Sequence, residues 1–241
     1  RAQLTLFGGQ ETTDYFTGRR GAYDEILRTI ELLIESRISP RIQVFVYKDN
    51  INEMNSIVEL IVNSHLVERC RDFGGEFGCF VHQGSCDGEN ERQYDSWVTP
   101  AELSLIPPML TEFTLKHFGK SSLDEVFGET EQSLYERLSA DESTVSCVVD
   151  EPVFYVDRKF DVYPNLSTPE PQWRLGNLKR DGVIKILENY VESRSCAQHT
   201  RLNIPLSELV LSQGDPTSRR LFWQGDYIEL ILNRYCRALM N

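Results

Sequence analysis

The sequence predicts an α/β protein, with three βα units over residues 1–98 that suit part of a parallel (β/α) barrel or a doubly wound sheet, followed by an α+β tail with a β-hairpin over residues 99–241. Three observations predict it. Apolar, strand-like runs begin near residues 2, 42 and 76, and amphipathic stretches separate them. Strand, helix, strand at that spacing is the signature of a parallel sheet. After residue 98 the alternation stops, and two β-rich runs around a polar turn mark a hairpin.

Each element has its own signal. Ala2 to Phe7 reads as a strand that ends at Gly8-Gly9. From Ala22 to Ser36, residues Tyr23, Ile26, Leu27, Ile30, Leu33 and Ile34 recur every three or four positions, which gives a helix one apolar stripe. Pro40 closes the connection, and Ile42 to Tyr47 is the second strand. Asn50 with Glu53 three residues on resembles a capping box, so a helix is expected to run from there to about His65. Glu76 to His82 is the third strand. Thr99-Pro100-Ala101-Glu102 is a strong helix start, with Pro at the first position and Glu at the third. Shorter helices follow near Thr111–Phe118 and Thr130–Leu138. The hairpin runs from Pro152 to Val156, turns at Asp157-Arg158-Lys159, and returns from Phe160 to Tyr163. A helix from about Asp181 to Glu192 carries Val183, Ile184, Leu187 and Tyr190 on one side. A last helix from Asp226 is expected to bury Ile228, Ile231, Leu232 and Tyr235. The half-barrel would leave one strand edge open, to be covered by the tail or by a second copy in a homo-oligomer.

Bulk properties narrow the function. The chain is 40% hydrophobic and 26% charged, with a net charge of −12. No Lys/Arg-rich run appears, so its field repels nucleic acid and anionic membrane surfaces, while a basic peptide or protein would be steered towards it. No stretch approaches the roughly 20 continuous apolar residues of a membrane span. No signal peptide opens the chain, which makes the cytoplasm the expected compartment. The chain opens at Arg1, already inside a strand, from which we expect residues upstream.

Function in parallel sheets sits at the C-terminal ends of the strands. That directs attention to Gly8-Gly9, Lys48-Asp49-Asn50 and the segment from His82 to Asn90. Gln3 and Thr5 share one face of the first strand, opposite Leu4 and Leu6, and polar side chains there invite a ligand. Arg19 and Arg20 open a helix, where the dipole disfavours cations, which suggests a carboxylate of a ligand for Arg19. His82, Gln83, Ser85, Asp87 and Glu89 form the richest polar cluster on the functional side and are read as substrate-binding. Six cysteines are scattered at 70, 79, 86, 147, 196 and 236, with no C-x-x-C pair. Cys79, His82 and Cys86 have metal-like spacing. On a strand, though, Cys79 and His82 point to opposite faces, and zinc wants a fourth ligand, so no metal site is assigned.

Two stretches carry a family resemblance. Leu4-Thr5-Leu6-Phe7-Gly8, Thr13-Asp14 and Gly18-Arg19-Arg20-Gly21-Ala22-Tyr23, then Ile38 to Asn50 with Asn52-Glu53, resemble the middle of a radical SAM domain. Asp161-Val162-Tyr163-Pro164-Asn165, followed by Leu175-Gly176-Asn177-Leu178 and Ile184 to Leu187, resemble the SPASM-type tail of peptide-modifying radical SAM enzymes. The resemblance implies a parent that cleaves S-adenosylmethionine reductively with a [4Fe–4S] cluster and abstracts hydrogen from a peptide or protein. It also implies cofactor contact at Thr5, with Gln3 beside it and Arg19, through a cofactor carboxylate, as the other cofactor-binding candidates. The family's usual arginine falls at the position of Thr17 rather than Arg19. The cluster loop C-x-x-x-C-x-x-C is absent here, and Asn165 stands where the tail expects cysteine. Since three thiolates must converge on the cluster, this chain alone is expected to hold none and to be inactive. The competing expectation is a non-catalytic module of the same fold that binds a peptide or partner.

Overall fold

The computed structural model describes residues 1–86, 88–145, 152–166 and 169–240. They form two compact units, one of residues 1–84 and 95–128, the other of residues 85–94 and 129–241. Helices over residues 100–127, grouped with the tail in the sequence reading, thus belong with the parallel sheet. Among the described residues no helix is long and apolar enough to cross a membrane.

In the first unit, β1 (Ala2–Leu6), β2 (Pro40–Phe45) and β3 (Gly78–His82) pair in parallel in the order β1-β2-β3. The register sets Thr5 beside Gln43 and Gln43 beside Phe80. Side chains alternate strictly across this sheet. Leu6, Ile42, Val44, Cys79 and Val81 are buried on one face. The crossovers hold α1 (Gln10–Thr17), α2 (Ala22–Glu35), α3 (Met54–Asn63) and α4 (Leu66–Asp72). Their core residues include Ile30, Ile34, Ile57, Ile61 and Cys70. Neither α1 nor α4 is predicted from the sequence, because short helices with mixed polar faces carry little periodic signal. The predicted box at Thr99 forms around α5 (Pro100–Leu103), with Glu102 accepting from the Thr99 backbone at 2.7 Å.

Asn50 departs from expectation. It makes no cap, and the helix it was expected to start is preceded by a 3₁₀ turn over Ile51–Glu53. Its wholly buried carboxamide instead donates to the carbonyls of Phe7 (2.6 Å) and Phe45 (2.9 Å) and accepts from the Tyr47 N–H (2.7 Å). Glu53 likewise turns away from its own helix, accepting from Gly9 N–H at 2.8 Å and from the Thr12 hydroxyl at 2.5 Å. Gly8 must be glycine for this clasp, since its φ is +144° and a Cβ there would lie 2.5 Å from the Glu53 carboxylate.

The free edge of β3 meets α6 (Pro108–Phe118), which is followed by α7 (Leu123–Phe127). The buried Thr114 hydroxyl accepts from the Val81 N–H at 3.0 Å and donates to the Leu110 carbonyl at 2.6 Å. Thr114→Val is expected to cost about 1–3 kcal/mol, the desolvation cost of one stranded N–H. Urea unfolding checks it, and a loss below about 0.5 kcal/mol (well under that range) would mean that water replaces the hydroxyl.

In the second unit, β4 (Glu129–Thr130) and α8 (Glu131–Leu138) come first. Strands β5 (Phe154–Val156), β6 (Asp161–Pro164) and β7 (Gly176–Asn177) make an antiparallel sheet. Val162, Leu175 and Ile186 form its core, with α9 (Gly182–Val191) lying against it. Most of the apolar stripe of α9 does not lie on its buried side. The helix turns Ile186 and Tyr190 inward, while Asn189 donates to the Leu175 carbonyl at 2.7 Å. Val183, Ile184 and Leu187, which share one side of the helix, are exposed. Helices α10 (Cys196–Asn203) and α11 (Leu206–Gln213) and the strand β8 (Leu221–Phe222), which pairs with β4, complete the unit with α12 (Gln224–Met240). The last helix buries Ile228, Ile231 and Leu232 as predicted. Tyr235 is not buried but donates to Glu208 at 2.6 Å, the polar tip of its ring reaching outward.

Candidate functional site

The parity that buries Leu6, Ile42 and Val44 sends Gln3, Thr5, Gln43 and His82 to the opposite face. There they join into one row. Gln3 Nε2 donates to Gln43 Oε1 at 2.5 Å, and Thr5 Oγ1 donates to the same oxygen at 3.4 Å. The Gln43 amide nitrogen bonds His82 Nε2. With the amide as donor, Nε2 is the acceptor and the ring carries its proton on Nδ1. Burial pushes the His82 pKa down to about 4, against a smaller upward pull from a hydrogen bond to the Gln83 backbone. The imidazole is therefore neutral at pH 7.

Towards the C-terminal ends of the strands the row gives way to rings. Phe7 stacks on Phe16 (5.0 Å) and on Phe45 (5.5 Å), and Phe16 stacks on Tyr47 (5.3 Å). Phe45 lies 4.7 Å from the His82 ring. The Asn50 carboxamide fixes the backbone of Phe7 and Phe45, so the shelf and the polar row are held by one buried group. A neutral row of two amides, a hydroxyl and an imidazole beside an aromatic shelf can bind a polar ligand that carries a flat apolar group. No carboxylate orients His82 in this row, so it is a binding group before it is a base.

The predicted site residues separate. Gln3, Thr5 and His82 come together through Gln43, which the sequence reading missed. The signal was its parity with Thr5 once the strands are set in register. Arg19 pairs with Glu25 at the exposed start of α2, outside the row. Asp14 does the capping there, accepting from Gly21 N–H (2.6 Å) and Tyr23 N–H (3.0 Å), which holds its carboxyl below the ordinary range. Gln83 uses its side-chain oxygen to accept from Val98 N–H at 2.9 Å. Ser85 is exposed and belongs to the second unit, as does Glu89, which lies in the 3₁₀ segment Gly88–Ser96. Asp87 lies outside the described residues.

Among the described residues, no group of three or more His, Cys, Asp or Glu side chains is placed to hold a metal ion. Cys79 is buried among the apolar residues of the helix-covered face and burial pushes its thiol up to about 12, the reverse of what a thiolate ligand needs. The described thiols do not fit an iron–sulfur cluster. At Asn165 the chain continues the hairpin through its backbone N–H, bonded to the Val153 carbonyl at 2.8 Å.

No family model and no curated protein matches the chain. Among solved structures it is similar to a histidine-tagged anSMEcpe with bound AdoMet, at 15% identity and a TM-score of 0.42, covering 99% of this chain and 64% of that one. It is also similar to native anSMEcpe with bound AdoMet and a Kp18Cys peptide, at 15% identity and a TM-score of 0.40, covering 99% and 68%. This chain thus spans less than two thirds of the first of these structures.

Proposed function

We propose that the chain is the central and C-terminal part of a radical SAM, SPASM-like enzyme that modifies a peptide or protein. The observation that carries this reading is the hydrogen-bonded row Gln3–Thr5–Gln43–His82 on a parallel sheet, which begins at Gln3 and Thr5, the two of its residues read from the sequence as cofactor contacts. The row and the aromatic shelf match the polar and flat parts of S-adenosylmethionine. The cluster that would cleave it, when bound, supplies the electron, and its ligands would be residues other than the described ones. This chain's own part is to seat the cofactor and to present the segment that follows β3 to substrate. Alone it is inactive.

The test uses protein expressed from the complete gene, reconstituted anaerobically with iron and sulfide. Reductive cleavage of S-adenosylmethionine is expected. Gln43→Leu is expected to weaken cofactor binding about tenfold, the worth of one or two lost polar contacts. A product with no cluster absorbance and no cleavage sinks the assignment, and unaltered binding in Gln43→Leu removes the row from it.

One observation favours a second reading, a non-catalytic module that binds a peptide or partner. Helix α9 exposes Val183, Ile184, Leu187 and Val191, with Ile184 at 77% and Val191 at 78%. Apolar residues clustered in this way mark interaction surfaces. Peptide binding that survives Gln43→Leu in a protein without cleavage activity would select it.

A further inference from the structure

We propose that the first unit binds a small phosphate-type oxyanion in a cationic pocket centred on Arg41, at the N-terminal ends of β2 and β3. This is the opposite end of the sheet from the aromatic shelf, and nothing in the proposed reaction uses it. A cavity of about 160 Å³ lies there, lined by Arg1, Arg41, Glu76, Lys116 and His117 among others. Three full cations thus face one carboxylate, in a chain whose net charge is −12. Such a concentration of positive charge against the trend of the whole molecule is what an anion would find.

The carboxylate does not quench the site. Glu76 is engaged at the rim by Lys116 (2.7 Å) and Arg1 (3.2 Å), all three with side chains 43–72% exposed. Arg41 is different. Among the described residues its guanidinium makes no ion pair, and its Nε is shielded from solvent without a hydrogen-bond partner. It lies 5.8 Å from the centre of the Phe80 ring. A desolvated N–H with no acceptor costs free energy, and an incoming oxyanion that reorders the guanidinium would recover it. The space is made by Gly78, where a Cβ would sit 3.3 Å from Arg41 Cγ. On the other side His117 stacks flat on Phe80 at 3.9 Å. Burial, and then the charges of Arg41 and Arg1, hold this imidazole below its ordinary pKa, so the positive field reaches His117 as a contribution smaller than that of burial.

Shape and size choose the ligand class. A planar guanidinium fork in a cavity that an ammonium also lines suits a tetrahedral oxyanion, and charge-assisted bonds of this kind are the strong ones. The cavity is well below the volume that encloses a drug-sized ligand, so it takes one phosphate group rather than a whole nucleotide.

The experiment titrates the full chain with inorganic phosphate at constant ionic strength, following the His117 ring by NMR and the thermal midpoint. A saturable shift is expected, with the His117 pKa and the midpoint both rising. Arg41→Met is expected to weaken binding at least tenfold. Lys116→Met, a rim change that spares the fold, is expected to weaken it about threefold. A parallel titration with glycerol phosphate separates the sources: tighter binding assigns an esterified phosphate, and equal or weaker binding assigns the free ion. An equal response to chloride, or unchanged affinity in both variants, overturns the site.

Discussion

Asn50→Ala is expected to destabilise the first unit by about 3–5 kcal/mol, close to the largest effects seen for single substitutions. The reason is the number of groups left behind. Removing the carboxamide strands the carbonyls of Phe7 and Phe45 and the N–H of Tyr47, all bonded by the one side chain at 2.6–2.9 Å. Each stranded buried group costs about 1–3 kcal/mol, and partial relaxation brings the sum down. Asn50→Asp separates donors from acceptors. It keeps the acceptor for Tyr47 but turns a carboxylate towards two carbonyl oxygens, so at pH 7 it is expected to be as damaging as alanine. Acid should raise its stability relative to that of Asn50→Ala, as the protonated carboxyl regains a donor while the His82 titration is common to both. Urea unfolding of the two variants, read at pH 7 and pH 5, checks both statements. A loss below about 1 kcal/mol for Asn50→Ala, no more than a single lost hydrogen bond, would show that the strand ends are held by something else.

Stability is also expected to fall as pH drops from about 6.5 towards 4, by about 3 kcal/mol through His82 alone. The sign follows from proton uptake. An unfolded histidine binds its proton near the ordinary value of 6.5, whereas the folded one holds out to about 4 because burial disfavours the imidazolium. Between those values the unfolded state binds more protons, so acid favours unfolding; above 6.5 the stabilising contribution is fully present. His82→Asn removes the titration and keeps an acceptor for Gln43. Its unfolding free energy should be flatter than that of the native chain between about pH 6.5 and 4.5, a window lying above most carboxylate titrations. Identical slopes for the two proteins would mean that His82 is not desolvated.

That the three strands run parallel was legible because Leu6, Ile42, Val44 and Val81 form apolar runs at crossover spacing. The last helix was legible because Ile228, Ile231 and Leu232 sit on one stripe. What could not be read were roles set by tertiary partners. Asn50 and Glu53 have the spacing of a local capping pair. Yet among the groups they satisfy are the Phe7 carbonyl just after β1, the Gly9 N–H and the Thr12 hydroxyl on α1, more than 40 residues away in sequence, and no local pattern encodes those partners. Which side of α9 is buried was not legible for a similar reason, since the stripe of Val183, Ile184 and Leu187 is exposed while Asn189 bonds the Leu175 carbonyl. Half of the candidate site was visible as polar parity on the first strand. Gln43, the residue that joins it, became visible only when register was known.

Thr114 has a consequence beyond the local cost of losing it. An outer strand normally offers its backbone to any other chain, and that is the common route to edge-to-edge aggregation. On the β3 side, α6 stands in that place and its hydroxyl already occupies the Val81 N–H. On the β1 side, no strand among the described residues is paired. The sheet is thus a one-sided template: it can grow past β1 but not past β3, and any strand that joins it, in assembly or in misassembly, must enter beside Gln3 and Thr5.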